Sequence, residues 1–239
     1  MSVGWTQVAL AGLWGGLVAL ERKAFLQAMF SRPLVASTVM GGLLNDVPSG
    51  LFIGMVLELF HLGAANLGAS LPDNDTLSAT CTSAAAATMA TATGAGSTPA
   101  LWSLSLLLFI GMGRVGRKLD RKLERYSGRL AKKALASAES GDLTLAVRQN
   151  LWGMWPHFLL FGVVTALCGL GGFLLGPLLE RLPLQVLRGL AWAWPAMAAV
   201  AAALAARGSN ARRAHVYAGA AAAVVTLAVV LLALRERYL

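Results

Sequence analysis

The chain has 239 residues, of which 57% are hydrophobic and only 13% are charged. A soluble domain averages about 25% charged residues, so the composition excludes an ordinary water-soluble protein. It predicts an all-α, polytopic helical membrane protein that forms a single membrane domain over residues 1–239. The net charge of +9 does not indicate nucleic-acid binding, because the basic residues adjoin apolar segments, as in loops that stay in the cytoplasm.

The first predicted element is a membrane span over residues 3–20. It is expected to be a retained span and not a removable signal peptide, because the apolar stretch ends at charged residues without a small-residue cleavage site. Gly12 and Gly16 are spaced for close contact with another helix. Residues 21–32 form a charged connection that predicts a short interfacial helix. Its apolar positions are Phe25, Leu26, Met29 and Phe30.

Prolines divide the next part of the chain into short helices, because proline is tolerated in the first turn of a helix but not in its interior. Pro33 begins a segment that ends near Asp46, is too short to span, and is expected to be a re-entrant or half-spanning helix. Pro48, Pro72 and Pro99 begin the next three predicted helices.

Residues 76–96 are mostly alanine and threonine. Small residues let helices approach closely, and hydroxyl groups can bond across a helix interface or to their own backbone carbonyls. The composition therefore fits a polar lining and tight helix packing equally well. Cys81 and the distant Cys168 have no metal-binding or redox spacing, and each is expected to be a small buried side chain.

The segment 114–142 is strongly basic, and its first 20 residues carry nine lysines and arginines against two acids. Apolar residues at spacings of three and four predict a basic amphipathic helix on the cytoplasmic side. The predicted apolar seam consists of Val115, Leu119, Leu123, Tyr126, Leu130 and Ala134. Pairing is expected within the helix, between Arg117 and Asp120 and between Arg121 and Glu124. The helix is expected to lie on anionic lipid, with docking of a soluble partner as the alternative.

Three further apolar stretches, over residues 151–179, 183–206 and 216–234, predict the last spans. Since each span needs about 20 residues, the total is about six full spans plus one or two partial helices.

The segment 31–80 combines acids, amides, glycines and prolines with an apolar background. An ionisable group in hydrocarbon costs roughly 2.5–3.5 kcal/mol on insertion scales, so such groups usually face a polar cavity or pathway. The segment therefore predicts a solute site built from broken helices. The candidate substrate-binding residues are Glu58, His61, Asn66, Asp73, Asn74 and Asp75.

Glu58 is the leading candidate, because a carboxylate can accept hydrogen bonds from two sugar hydroxyls at once. The structural alternative is an ion pair of Glu58 with an arginine or histidine that fixes two helices. His61 lies one turn later on the same face, although a lone histidine beside apolar residues is more often structural. Asn74 or Asp75 is expected to cap the following helix.

No cofactor and no catalytic residue is predicted. The carboxylates lack the compact histidine or cysteine set that would favour a metal. The chain also carries no glycine-rich phosphate loop and no nucleophile elbow.

Four motifs resemble one known family, and they read SRPL, VMGGLLND, SGLFIGMVLELFHLG and ANLGASLPDNDTLSA. That family is the membrane IIC subunit of the mannose/fructose/sorbose-type sugar phosphotransferase system. The likeness is close over the first third of the chain. In the rest of the chain, only the hydropathy and the order of the apolar segments are alike. Asn45 stands where this family often has a glycine before the aspartate.

The resemblance implies a sugar-binding and translocating subunit in the bacterial cytoplasmic (inner) membrane, with a hexose-type sugar as substrate. It implies a IID membrane subunit as partner and an oligomeric assembly. Soluble IIA and IIB subunits would carry the phosphoryl chemistry, so this chain would not itself be an enzyme. The sugar site would include Glu58, Asn66, Asp73 and Asp75, and the basic segment would lie on the IIB side.

Two other functions remain open at this point. A non-transporting sensory or scaffold subunit of an incomplete phosphotransferase system could keep the same fold. An ion-coupled secondary transporter would use Glu58 and His61 as a proton relay.

Overall fold

The computed structural model of the chain describes residues 4–62, 72–94 and 96–208, together with Val216 and Gly219. Within these residues the regular secondary structure is helical, and no strand is present. The helices are α1 (Trp5–Lys23), α2 (Pro33–Leu43), α3 (Val47–Leu62), α4 (Asp75–Thr93), α5 (Pro99–Phe109), α6 (Met112–Glu139), α7 (Leu143–Trp152), α8 (Trp155–Glu180) and α9 (Leu184–Gly208). The predicted last span lies outside the described residues.

Helix α4 occupies the centre of the bundle, and every residue from 76 to 90 is buried. Helices α8, α2, α3, α5, α1 and α6 pack around it. The hydroxyls of Thr82, Ser83 and Thr88 donate to carbonyls four residues earlier, at 2.7–2.9 Å. A Cβ added to Gly172 of α8 would lie 2.1 Å from Thr88 Oγ1. Of the two interpretations of this segment, the structure shows tight packing.

Helices α1 and α8 also pack with their backbones in near contact. A Cβ added to Gly12 would lie 3.1 Å from the carbonyl oxygen of Gly162, and one added to Gly16 would lie 2.7 Å from that of Phe158. The close helix contact predicted from the spacing of these two glycines is confirmed. The predicted burial of Cys81 and Cys168 is confirmed as well, and both thiols are free.

Helices α2 and α3 form a short antiparallel hairpin. They have 11 and 16 residues, or about 16 and 24 Å at 1.5 Å per residue, so neither reaches across a hydrocarbon core of about 30 Å. Asn45 in the turn has φ 63°, a left-handed conformation that favours glycine and that asparagine tolerates better than most residues. This conformation accounts for an asparagine in the turn.

Three aromatic rings join α3, α5 and α9. The ring centroids of Phe52 and Trp102 are 4.5 Å apart, and that of Trp194 lies 5.4 and 5.5 Å from them. Trp102 Nε1 donates to Ser49 Oγ at 2.8 Å, which satisfies the polar edge of a buried indole. This cluster attaches α9 to the side of the bundle.

Three predicted boundaries were wrong. Residues 24–32 form no helix, because Leu26, Gln27 and Met29 have φ of 63°, 49° and 66°. Helix α4 begins at Asp75 and not at Pro72, because Asn74 takes the N-cap position. Helix α5 ends at Phe109, and after a short turn α6 begins at Met112, two residues before the predicted basic segment starts at residue 114.

The basic amphipathic helix is confirmed as α6, but its buried face differs from the predicted seam. Gly113, Gly116, Asp120 and Leu123 are buried, whereas two seam residues, Val115 and Tyr126, are 40% and 43% exposed. The two glycines allow α4 to approach α6 closely, and this approach selects the face. The predicted pairs within the helix are not formed, because their acids bind residues of other helices.

Among the described residues, three helical stretches are long and apolar enough to cross a membrane, namely Pro99–Glu139, Leu143–Glu180 and Leu184–Ala206. The second contains the predicted span at 151–179, and the third covers the predicted span at 183–206 except for its first residue. The first predicted span is the 19-residue helix α1, about 28 Å long. The total of six full spans stays a prediction.

Candidate functional site

Four ion pairs join different helices or their connections at one end of the bundle. These are Arg22–Asp75, Lys23–Glu124 at 3.1 Å, Arg32–Glu58 at 3.2 Å and Arg117–Asp73 at 3.3 Å. This region, where the last turn of α1 meets the first turns of α2, α4 and α6, is called the polar end below. It contains the three candidate carboxylates of the described residues.

Asn74 is the most highly connected of the candidate residues, and it is only 3% exposed. Its Oδ1 accepts from the backbone N–H of Leu77 at 2.8 Å, which is the N-cap bond of α4. Its Nδ2 donates to Asp120 Oδ2 at 2.8 Å, and its backbone N–H donates to the Gly113 carbonyl at 2.9 Å. The predicted cap is confirmed for Asn74, which also ties α4 to α6.

Arg22 closes the polar end from the side of α1. Its guanidinium donates to Asn74 Oδ1 at 2.9 Å and to Thr76 Oγ1 at 3.1 Å, and it pairs with the Asp75 carboxylate. Both partners of the ion pair are partly exposed, 21% for Arg22 and 29% for Asp75. A single cation at the end of α1 therefore contacts three consecutive residues at the start of α4.

The connection between α1 and α2 lies inside this network. Its Ser31 donates a backbone N–H to Glu21 Oε2 at 2.8 Å and accepts from Thr76 Oγ1, also at 2.8 Å. The next residue, Arg32, reaches Glu58. Ser31 and Arg32 thus connect the contacts around Asp75 of α4 with those of Glu58 of α3.

Glu58 bridges α3 to the beginning of α2. Its Oε1 accepts from Arg32 Nη1 at 3.2 Å, and its Oε2 accepts from the backbone N–H of Leu34 at 3.3 Å. The first N–H groups of a helix have no partner within it, and a carboxylate there is favoured by the helix dipole. In this conformation Glu58 therefore makes the helix-fixing ion pair considered from the sequence, and its side chain is 18% exposed.

The remaining candidates are less engaged with the network. Asp73 lies 3.3 Å from Arg117 Nε, but the same oxygen accepts no hydrogen bond. His61 Nδ1 lies 2.8 Å from the Leu57 carbonyl oxygen, and its ring packs edge-on against Phe60. Asn66 lies outside the described residues.

A small cavity adjoins Asn74 between α1, α4, α6 and α8. Its volume is about 10 Å³, which is roughly the space of one water molecule. Its polar lining comes from Arg22, Lys23, Asn74, Thr76, Thr80, Asp120 and His157. A wider and more open cavity of about 320 Å³ lies beside it under α6, and Lys23 and His157 line both.

Sequence reasoning missed the cations of this site and its buried acid. Arg22 and Arg32 stand in charged stretches beside apolar segments and were interpreted as boundary markers. Arg117 and Asp120 belong to the basic helix, where charge is expected on the solvated face. The separation of 46 residues between Asn74 and Asp120 leaves no local signal that could have indicated the contact.

The chemistry that these groups offer is hydrogen bonding and charge pairing. Carboxylates, guanidinium groups, an amide and hydroxyls alternate at the polar end, and such groups can exchange partners with the hydroxyls of a polar solute. Within the described part of the chain, no three His, Cys, Asp or Glu side chains come together as a metal site.

Comparison with known proteins extends the resemblance to the whole chain. A family model described as the sorbose-specific IIC component of the phosphotransferase system matches residues 5–234. The sorbose-specific EIIC component of Lacticaseibacillus casei is 31% identical over 80 residues, which is 34% of this chain. The aligned stretch spans 28% of the length of that relative.

Two solved structures share the fold. One, described as a membrane protein, has a TM-score of 0.66 and 20% identity, and the match covers 99% of this chain and 96% of that one. The other is a cryo-EM structure of the mannose transporter ManYZ in complex with microcin E492, with a TM-score of 0.58, 22% identity and coverage of 100% and 96%. These likenesses and the long apolar helices fit a multi-pass membrane protein. The chain belongs to the family of sorbose-specific IIC components of the phosphotransferase system.

Proposed function

We propose that this chain binds a hexose-type sugar and translocates it across the bacterial cytoplasmic membrane as part of a phosphoenolpyruvate-dependent permease. The family match over residues 5–234 is the observation that carries the proposal. Relatives named for sorbose and mannose support a hexose as the substrate class. The chain performs no phosphoryl chemistry in this proposal, and soluble IIA and IIB subunits supply it.

The sugar site in this proposal uses the carboxylates of the polar end. Glu58, Asp73 and Asp75 each face an arginine and are each partly exposed. Sugar hydroxyls that replace an arginine can donate hydrogen bonds to the carboxylate oxygens, so these oxygens stay hydrogen-bonded when the sugar binds. His61 and Asn66 complete the proposed set, and Asn74 positions the first turn of α4.

The direction in which the α6 cations point favours a soluble partner over lipid. The buried face of α6 lies against the first turn of α4 through Gly113, Gly116 and Asp120. Exposed cations lie on the opposite face and make no ion pair among the described residues. They are Arg114, Lys118, Arg121, Lys122, Arg125, Arg129, Lys132 and Lys133.

The cationic face of α6 points away from its contact with α4. Such a face is suited to bind an acidic protein surface in the aqueous phase. We therefore assign it to docking of the IIB subunit and the polar end to the cytoplasmic side, in agreement with the positive-inside rule. A IID membrane subunit and an oligomeric assembly complete the proposed permease. No contact of the described residues favours a proton relay, since His61 bonds to its own helix and not to Glu58.

A matched pair of substitutions tests the role of Glu58. Glu58→Gln and Arg32→Gln each remove the ion pair between α2 and α3, but only the first removes the carboxylate. We expect Glu58→Gln to abolish phosphoenolpyruvate-dependent sugar uptake, and Arg32→Gln to retain most of it. Co-purification with the IID subunit checks that both variants assemble. Equal losses in the two variants would assign Glu58 to the ion pair alone, and wild-type uptake by Glu58→Gln would remove it from the site.

A further inference from the structure

Helix α7 leaves its large apolar side chains uncovered. None of its residues is buried. The exposed fractions of Leu143, Val147 and Leu151 are 67%, 60% and 51%, and that of Trp152 is 55%. Contiguous apolar surface of this kind is uncommon on a water-exposed helix and marks a contact with another apolar phase.

The apolar residues form a stripe beside the contact between α7 and α6. Gln149 of α7 accepts from Ser137 Oγ of α6 at 3.3 Å, and Gln149 and Ala146 are partly buried. Leu143, Val147 and Leu151 follow each other at intervals of four, so they share a neighbouring side of the helix. That side is separate from the side that contacts α6, and it remains exposed in the described part of the chain.

The position of α7 along the chain places it at a membrane boundary. Only Gly153 and Met154 separate it from α8, a 26-residue apolar helix, and two residues extend at most about 7 Å. Trp155, the first residue of α8, is 55% exposed. Tryptophan is enriched at the headgroup level of membranes, and Trp152 and Trp155 flank this link.

We propose that α7 is an interfacial anchor that lies in the plane of the bilayer surface. Its stripe of Leu143, Val147 and Leu151 enters the boundary between headgroups and acyl chains, and Arg148 faces anionic headgroups. The anchor holds the α6–α7 hairpin at the membrane surface and thereby fixes the level of the basic helix. This surface is distinct from the cationic face of α6.

Two observations favour lipid over a protein as the occupant. Residues 143–154 carry one charged side chain, Arg148, so the segment combines apolar contact with attraction to anionic lipid. A helix of ten residues is about 15 Å long. The stripe on one side of it is small beside the roughly 800 Å² per partner of a stable protein interface.

Depth measurement on single labelled cysteines in the full chain tests the anchor. Val147→Cys, Leu151→Cys and Arg148→Cys are each labelled with a nitrobenzoxadiazole fluorophore in vesicles that contain anionic lipid. Cys81 and Cys168 are buried, and the labelled wild-type chain gives the background. We expect lipid with a doxyl group high on the acyl chain to quench the labels at 147 and 151 strongly, while aqueous iodide preferentially quenches the label at 148.

Two outcomes would overturn the proposal. Labels at 147 and 151 that iodide quenches as readily as the label at 148 would place α7 in water. Shielding of both positions from lipid and iodide alike would show that protein covers the stripe. Two positions on the stripe are used so that the result does not depend on one variant.

Discussion

Asn74 connects three helices through one side chain and its backbone. Its amide oxygen caps α4 and accepts from Arg22, and its amide nitrogen donates to Asp120. Asp120 is 5% exposed, and a buried carboxylate is costly unless it is hydrogen-bonded. Asn74 thus stabilises the contact of α1, α4 and α6 beside the proposed sugar site.

We expect Asn74→Ala to destabilise the protein by about 2–4 kcal/mol, because it removes an N-cap worth roughly 1 kcal/mol and leaves a buried acceptor unpaired, which costs roughly 1–3 kcal/mol. Asp142→Ala is the matched control, since Asp142 caps α7 at an exposed position. It is expected to cost about 1 kcal/mol or less. Unfolding of the detergent-solubilised proteins measures both. Equal losses would show that the bond to Asp120 contributes no stability.

The candidate acids could be found from the sequence, but their partners could not. Carboxylates within an apolar segment stand out because they are costly in hydrocarbon. The arginines that pair with Asp75 and Asp73 come from α1 and α6, and the fold alone brings them together. The assignment of Glu58, His61, Asn66, Asp73, Asn74 and Asp75 to sugar binding stays a prediction.

At the scale of helices, the close contact of α4 with α8 depends on a glycine in α8, which has no side chain to separate the two backbones. A Cβ on Gly172 would lie 2.1 Å from Thr88 Oγ1 and 2.2 Å from the Ala85 carbonyl oxygen. Thr88 Oγ1 also donates to the Gly169 carbonyl at 2.7 Å. If either helix moved away, the hydrogen bond between Thr88 and the Gly169 carbonyl would be lost.

Gly172→Ala is therefore expected to destabilise the bundle by about 1–3 kcal/mol through overpacking. The neighbouring Gly171→Ala serves as control, because its added Cβ would meet only the Phe109 ring at 3.5 Å, an ordinary contact. That change should be neutral, or stabilising by up to about 1 kcal/mol through helix propensity. The midpoints of thermal unfolding compare the two variants. A Gly172→Ala protein as stable as the control would mean that the two helices separate freely.

Proline predicted the first residues of α2 and α5 but not that of α4. Pro33 and Pro99 are the first residues of α2 and α5, because proline suits the first helical position. Pro72 gave the wrong start, since the side chain of Asn74, two residues later, caps α4 and sets its first residue at Asp75. The amphipathic spacing in residues 24–32 suggested a helix, but that connection bends to bring Ser31 and Arg32 into the polar network, which no local pattern reveals.

At the scale of the whole molecule, composition predicted the all-α membrane class, and the motifs predicted the family. Hydropathy did not predict that α4 is central, because its alanines and hydroxyl residues have a weak apolar signal. Its position follows from small residues that let six helices approach it. Charge then separates the ends of the molecule, with the ion pairs at one end beside the basic helix.

The most direct test of the account is uptake of labelled sorbose, mannose, fructose and glucosamine into membrane vesicles. The vesicles contain this chain and its IID partner, and the soluble relay proteins and phosphoenolpyruvate are supplied. We expect sugar phosphate to accumulate only when both membrane subunits and the phosphate donor are present. An assembled complex that accumulates none of these sugars as phosphates, or that transports them without phosphoenolpyruvate, would contradict the proposed function.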